Sequence, residues 1–240
     1  MNNARTLLAT LAALPLLLAV AACDDPKPKP PAAAETAAAP ATQAPSPAAE
    51  TAKAAAPHDP PAPPATFDVD QSHSRLVFSV RHLMVSNTRG QFEKFGGTVF
   101  LDEANPAAST VKLEIDTASI NSADAKRDEH LRSADFFDVK KHPKMTFTST
   151  KVERAGAGYR ITGDLTIRDV TKPVVLDVDP VSPSVKDPWG GTRRGTRARA
   201  KLDRKEFGLT WNKALEAGGV AVGDEVTLDL EVELIQKKPS

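Results

Sequence analysis

The side chains best suited to acid–base chemistry are concentrated between positions 128 and 135. Asp128, His130 and Asp135 could supply an acid or a base, and Ser133 is a conceivable nucleophile. The chain has neither a nucleophile elbow nor a glycine loop of the kind that cradles a phosphate. A hydrolase is therefore kept only as a third hypothesis, and we expect no catalytic site.

Residues that could bind a metal show no recognisable spacing either. His73, His82, His130 and His142 are dispersed along the chain, without a His-x-x-x-His or comparable pattern. Cys23 is the only cysteine, which excludes an internal disulfide and a thiolate cluster. We expect no metal site.

The amino terminus is typical of a bacterial export signal. Arg5 is followed by an apolar run over 7–22 that is too short for a comfortable membrane span. Residues 20–23, Val-Ala-Ala-Cys, resemble the lipobox of bacterial lipoproteins, in which the cysteine is acylated and becomes the first residue. The alternative is an ordinary cleavable signal followed by an incidental cysteine.

Acylation of Cys23 would anchor the protein to a membrane. Asp24 resembles the inner-membrane retention signal of enteric bacteria, so we expect an exported, periplasmic protein that is anchored to a membrane, with the inner membrane favoured. Residues 24–66 contain twelve of the twenty prolines and no aromatic residue, and such a segment cannot build a core. The predicted organisation is a signal peptide over 1–22, an acylated cysteine and stalk over 23–66, and one folded domain over 67–236.

The charges of the domain disfavour a nucleic-acid partner. From position 67 onward, the chain contains 27 Lys and Arg residues and 26 Asp and Glu residues, so the charges nearly cancel. The densest basic stretch lacks aromatic residues and falls mostly on alternate positions of one predicted strand, which is typical of a solvated face. It consists of Arg193, Arg194, Arg197, Arg199, Lys201, Arg204 and Lys205.

Apolar and polar residues alternate along most of the domain, which predicts antiparallel strands with one buried face. The clearest example is 226–234, where Val and Leu alternate with Thr, Asp and Glu. About eight strands are expected, at 76–80, 97–101, 111–115, 145–151, 159–167, 174–178, 196–202 and 226–234. One short helix is expected after Ser122, which could cap it, with Asp124 in its first turn and an Asp128–Arg132 pair.

So many strands with so little helix must either stack as two sheets or close on themselves, and closure removes the exposed edges. An eight-stranded barrel has room for either one ligand or packed side chains. Periodicity does not distinguish a hollow barrel from a filled one.

Several segments, taken in order, resemble the YceI-like family of lipocalin-like barrels from the bacterial periplasm. These segments are 70–74, 78–82, 88–92, 127–138, 143–150, 163–168, 171–174, 203–209 and 223–226. Asp169 departs from the glycine that the family commonly has, which concerns only a turn. The resemblance implies an all-β fold, an eight-stranded antiparallel barrel with one short helix near its mouth. It also implies that the barrel holds a polyisoprenoid or another long amphipathic lipid.

Two groups of residues are candidates for such a site. The apolar candidates lie in phase with the inward faces or in the 128–137 segment, and each is either pocket wall or ordinary core: Phe78, Val80, Phe92, Leu131, Phe136, Phe137, Phe147 and Trp211. Among polar residues, His82 either contacts a head group or donates a hydrogen bond within the core. Arg89, Arg127, His130 and Arg132 form either a polar mouth or a salt-bridged lid.

The leading hypothesis is a non-enzymatic protein that sequesters or carries a long-chain isoprenoid of the quinone or prenyl phosphate type, with no other cofactor. Burial of each methylene is worth about 0.8 kcal/mol, whereas association costs about 4–15 kcal/mol. A chain of about twenty carbons would therefore exceed that cost. The alternative is a filled barrel that acts as a protein-interaction module in the envelope.

Overall fold

The structure is a computed structural model, and it describes residues 62–216 and 218–238. The signal peptide, Cys23 and most of the stalk predicted from the sequence lie outside these residues. The strands are β1 (Ala65–Val69), β2 (Arg75–His82), β3 (Ser86–Phe92), β4 (Phe95–Leu101), β5 (Thr110–Asp116), β6 (Ile120–Asn121), β7 (Lys144–Ala155), β8 (Gly158–Ile167), β9 (Val170–Val178), β10 (Val185–Lys186), β11 (Thr192–Asp203) and β12 (Val222–Gln236). The helix is α1 (Ala125–Arg132), and 3-10 turns span Pro106–Ala108, Thr117–Ser119 and Arg204–Phe207.

The strands close into an antiparallel barrel. The last strand, β12, pairs with β11 along one edge, and along its other edge it pairs first with β2 and then with β1. β1 and β2 therefore occupy the same strand position in the barrel. β3 and β4 together occupy the next position, and β5 and β6 together occupy the one after that. With β7, β8, β9, β11 and β12, the barrel has eight positions, which confirms the predicted fold.

Alternating burial along the strands follows the alternation in the sequence. On β7, Met145 and Phe147 are buried while Thr146 and Thr148 are exposed. All eight predicted runs fall within strands. β1 and β3 were missed because β1 is short and β3 carries no clean alternation, and β1 begins two residues before the predicted domain boundary at 67.

The short helix lies where it was predicted, but two details of the prediction are wrong. Asp124, not Ser122, caps α1, and its carboxylate accepts a hydrogen bond from the Arg127 amide at 3.0 Å. The expected Asp128–Arg132 ion pair is replaced by other bonds. Buried Asp128 instead accepts hydrogen bonds from the Ser122 amide and hydroxyl, and Arg132 donates to the carbonyls of Ala118 and Ile120. No helix in residues 62–216 or 218–238 is long and apolar enough to cross a membrane.

The basic stretch on β11 is only partly the solvated face that was predicted. Arg197, Arg199 and Lys201 form ion pairs on the outer surface, with Asp229, Asp179 and Glu225 respectively. Arg194 and Arg204 are buried, which contradicts the prediction. Arg194 is buried because it binds the Glu103 carboxylate at 2.7 Å, and Arg204 because several main-chain carbonyls surround it.

One end of the barrel is filled. Side chains from six strands meet there and are almost fully buried, namely Phe67, Leu101, Val111, Val152, Tyr159 and Leu234. The described chain begins at this end, where the Ala62 amide donates to the Glu103 carboxylate at 2.9 Å. We call it the closed end.

Candidate functional site

The other end of the barrel is hollow and contains a cavity of about 550 Å³. Its wall comes from the inward faces of the strands and from α1, and it is almost entirely apolar. Val80, Leu113 and Leu228 point inward yet remain partly exposed, since they border empty space. At the closed end, Phe67 and Leu234 are only 3% and 2% exposed. The barrel is therefore filled at one end and hollow at the other, a combination that periodicity did not predict.

Most of the sequence-predicted site residues lie in this lining. They are Phe78, Val80, His82, Phe92, Arg127, His130, Leu131, Phe136, Phe137, Phe147 and Trp211. Arg89 does not: it is exposed on β3, next to Ser79 of β2, and lies outside the lining. Sequence reasoning missed further lining residues such as Leu113, Leu165 and Leu228, although their alternation places them on the inward faces.

Two groups of rings line the cavity. Phe92 lies between Phe78 and Phe137, with centroid distances of 5.8 and 5.7 Å. Beside α1, the imidazole of His130 packs edge-on against Phe136 and Trp211, at 5.1 and 4.7 Å. Edge-to-face contacts of this kind stabilise aromatic clusters.

The acid and base candidates of the 128–135 segment do not form a hydrolytic site. His130 Nε2 lies 2.9 Å from Asp135 Oδ2, but the Ser133 hydroxyl donates to the His130 carbonyl at 2.7 Å. Ser133 therefore caps the C-terminus of α1, and the Asp128 carboxylate accepts a hydrogen bond from the Ser122 hydroxyl. In this segment no serine hydroxyl is hydrogen-bonded to the His130 imidazole.

The polar groups of the lining are concentrated at the open end, which we call the mouth. Its exposed charged members are Arg81, Asp124, Lys126 and Arg127. Arg127 is held in place because its guanidinium donates to the hydroxyl and carbonyl of Ser122 at 2.8 and 2.7 Å. The mouth thus carries three cations and one carboxylate, that of Asp124, which caps α1. The excess of positive charge favours anionic groups and carbonyl oxygens.

Arg204 is a structural residue that sequence reasoning missed. Its guanidinium donates to the carbonyls of Gly223 and Trp211 at 2.8 and 2.9 Å, and to that of Leu209. Burial lowers the pKa of Arg204, and the nearby Asp224 and Asp203 oppose that shift. These bonds hold residues 209–216 and 218–223 against the barrel, where this segment forms one side of the mouth. No local pattern in the sequence indicates these bonds, because the carbonyls come from Leu209 and Trp211 in a loop and from Gly223 at the start of β12.

A group of possible metal ligands lies outside the cavity lining, on Asp70, His73 and Glu233. The Arg193 guanidinium already lies 2.6 Å from the Asp70 carboxylate and 2.5 Å from that of Glu233. Burial opposes ionisation of Asp70, but hydrogen bonds from Ser72, His73 and Arg193 outweigh it and hold the pKa of that carboxyl well below its usual range. An arginine thus supplies the positive charge that a metal ion would bring.

Comparison with known proteins gives consistent matches. A family model described as the YceI-like domain matches residues 67–234. The protein YceI of Escherichia coli O17:K52:H18 is 41% identical over 172 residues, which cover 72% of this chain and 86% of the relative. A UPF0312 protein of Pectobacterium atrosepticum is 40% identical with the same coverage.

Solved structures share the fold. BcnA of Burkholderia cenocepacia matches with a TM-score of 0.61 and 25% identity, covering 69% of this chain and 98% of BcnA. A YCEI protein of Campylobacter jejuni matches with a TM-score of 0.56 and 32% identity, over 65% of this chain and 90% of the other. A polyisoprenoid binding domain from Saccharophagus degradans has a TM-score of 0.52, covering 72% and 99%, and at 16% identity that likeness concerns the fold alone.

Proposed function

Because this chain belongs to the YceI-like family and one end of its barrel is hollow, we propose that it binds a long-chain isoprenoid lipid inside the barrel. The observation that carries the proposal is the apolar cavity of about 550 Å³, whose polar lining groups are concentrated at the mouth. This volume lies within the range of small-molecule sites, about 300–1,000 Å³. An amphipathic lipid matches that arrangement, with its chain in the lumen and its head at the mouth.

The description of the Saccharophagus degradans domain as polyisoprenoid binding supports the same ligand class. Arg127 and Lys126 could bind a phosphate, and His82 or His130 a quinone carbonyl, since all four line the mouth. The lipid is accordingly of the prenyl phosphate or quinone type. A long chain is favoured because about twenty buried methylenes, at about 0.8 kcal/mol each, exceed the cost of association.

The location of this activity follows from the amino terminus. The export signal over 1–22 and the lipobox ending at Cys23 direct the protein to the envelope, where an acyl anchor holds it beside a membrane. There the barrel shields a water-insoluble lipid, either as a store or during transfer. No chemical step is involved, and the protein is not an enzyme.

Mass spectrometry tests the proposal. The chain from residue 23, with Cys23→Ser to prevent acylation, is placed behind a cleavable export signal, produced in a bacterial host and purified without detergent. Native spectra followed by organic extraction should reveal a stoichiometric adduct of isoprenoid mass. A bare polypeptide that stays bare after incubation with a long-chain quinone and a prenyl phosphate would reject the proposal and favour the protein-interaction module.

A matched pair of variants ties the adduct to the cavity. Val80→Trp fills the lumen, since Val80 lies in the lining, and it should abolish the adduct. Val175→Trp makes the same change on the outer face of β9, where the side chain is 45% exposed, and should retain the adduct. Equal retention by both variants would contradict binding in the lumen.

A further inference from the structure

Large apolar side chains are exposed at the tip of the β2–β3 hairpin. Leu83, Met84 and Val85 are 40%, 51% and 75% exposed. The other exposed large apolar residues in the described part of the chain lie elsewhere: Val175 on the outer wall, and Val185 and Trp189 on the β10–β11 hairpin near the closed end. We call residues 83–85 the tip. Contiguous exposed apolar residues commonly mark contact surfaces.

The conformation of the tip makes its composition more unusual. The Val85 amide donates to the His82 carbonyl at 3.1 Å, and the two residues between them have positive φ angles, 48° for Leu83 and 61° for Met84. β-Turns with positive φ at both central residues favour Asn, Asp and Gly there, because large side chains crowd the backbone. Exposure and backbone conformation both disfavour Leu and Met, so folding does not account for them.

The tip is continuous with the mouth. His82, at its base, lines the cavity and pairs with Val222, which also lines it. The Leu83 amide donates to the Ala221 carbonyl at 2.9 Å, so the tip is fixed against the segment that forms one side of the mouth. A surface that bound the tip would therefore lie over the opening of the cavity.

The charges beside the tip indicate what that surface is. The Arg81 guanidinium donates to the Met84 carbonyl at 3.0 Å, which places a cation at the base of the tip. Lys126 and Arg127 lie across the mouth, and the carboxylate of Asp124 caps α1. Exposed apolar side chains accompanied by cations are typical of proteins that bind the interface of anionic bilayers.

We infer that the tip inserts into the interface of an anionic phospholipid bilayer and docks the mouth on the membrane, so that lipid passes between bilayer and cavity without crossing water. The passage of lipid rests on the proposed function, whereas the docking itself rests only on the tip and the cations. Docking by the mouth also requires that the closed end, which carries exposed Trp189, faces away from that bilayer.

Cosedimentation with vesicles tests this docking. The chain from residue 23 with Cys23→Ser is mixed with vesicles of phosphatidylcholine, with or without phosphatidylglycerol. It should bind the anionic vesicles, and added salt should weaken that binding because exposed charges are screened. Leu83→Asn with Met84→Gly should reduce binding about tenfold or more, as buried apolar area is lost, and should leave the melting temperature equal or higher because the turn is relieved.

Trp189→Ser is the matched control, since it removes an exposed apolar side chain from the opposite end of the barrel. This variant should bind vesicles as the parent chain does. Unchanged vesicle binding by the tip variant, or its loss in Trp189→Ser alone, would overturn the inference.

Measuring the isoprenoid adduct by mass spectrometry distinguishes a failure of this inference from a failure of the proposed function. A tip variant that retains the isoprenoid adduct but loses vesicle binding supports docking. If the parent chain binds vesicles through the tip but carries no lipid, docking is supported and the lipid-carrier function is rejected. A parent chain that carries lipid but binds no vesicles rejects docking and leaves the carrier intact.

Discussion

The ring of Phe78 on β2 lies directly against Gly90 on β3. The two residues are paired across the strands, and a Cβ built on Gly90 would lie 2.4 Å from Phe78 Cζ. The ring of Phe147 also lies against a glycine, Gly163, although Gly163 is paired with Ser149 across the strands. Glycine within a strand often marks such a close approach. Both phenylalanines line the cavity, so each glycine lets a ring lie along the wall and leaves the lumen open.

Replacing Gly90 by Ala should therefore weaken lipid binding. The new methyl group would displace the ring of Phe78 into the lumen, where it competes with the ligand. Overpacking of a filled site costs about 1–3 kcal/mol, so we expect affinity for a long-chain prenyl phosphate or quinone to fall about tenfold, since tenfold corresponds to about 1.4 kcal/mol. The free energy of unfolding without lipid should change by less than about 1 kcal/mol, because the ring can move into empty space.

Gly96→Ala supplies the matched control, since Gly96 also lies in a strand and a Cβ there would meet no atom within 4 Å. Equal affinities for the two variants would show that the ring of Phe78 does not border the ligand.

The sequence predicted the strands correctly where apolar and polar residues alternate along them. Val111 and Ile115 on β5 are buried as expected, because successive side chains of a strand must point to opposite faces. β3 was missed because its polar sequence, Ser-Asn-Thr-Arg-Gly-Gln-Phe, pairs with β2 through the hairpin and not through its own pattern.

The division of the barrel into filled and hollow ends could not be predicted. Leu228 and Leu234 are the same residue type in the same phase of β12, yet Leu234 is 2% exposed whereas Leu228 is only partly buried. The difference depends on which distant strands reach each side chain, which alternation does not encode. The burial of Arg204 likewise depends on carbonyls from distant positions, that of Trp211 in a loop and that of Gly223 at the start of β12.

Arg204→Met should destabilise the barrel strongly. The change removes the donors to the carbonyls of Gly223, Leu209 and Trp211 and leaves those acceptors buried. We expect a loss on the order of 3 kcal/mol in the free energy of unfolding, measured in urea. Lys205→Ala, at the exposed neighbouring position, should change it by less than about 0.5 kcal/mol. Similar losses in both variants would mean that Arg204 does not hold residues 209–216 and 218–223 in place.

Asp70 should make stability depend on acid pH. Its folded-state pKa lies below the unfolded value of about 3.9, because hydrogen bonds from Ser72, His73 and Arg193 outweigh the effect of burial. Its stabilising effect is therefore fully present above about pH 4 and is lost as the pH falls from there toward the folded-state pKa.

Urea unfolding at several pH values checks this dependence. Asp70→Asn should lower the free energy of unfolding at pH 7 by about 2 kcal/mol and should make its decline below about pH 4 shallower. Asp164→Asn alters an exposed carboxylate on β8 and serves as the control. Parallel pH profiles for the parent chain and Asp70→Asn would contradict the assignment.

Asp128→Ala should loosen the helix at the mouth. Asp128 is 7% exposed, and its carboxylate accepts hydrogen bonds from the Ser122 amide and hydroxyl at 2.8 and 2.5 Å. Because the Ser122 hydroxyl also accepts a bond from Arg127, removal of the carboxylate disturbs a residue that lines the cavity. Loss of a buried charged acceptor costs about 1.5–3 kcal/mol, and we expect that decrease in the free energy of unfolding.

Hydrogen exchange measures the local consequence. Amides of α1 should exchange faster in Asp128→Ala, whereas amides at the closed end around Leu101 and Val152 should change only as much as global stability does. Glu129→Ala changes the adjacent exposed residue of the same helix and should leave both regions unaltered. Since α1 contributes Leu131 and His130 to the cavity wall, bound lipid should also dissociate faster from Asp128→Ala. Exchange that is uniform across the barrel would show that Asp128 stabilises the whole fold and has no special role at the mouth.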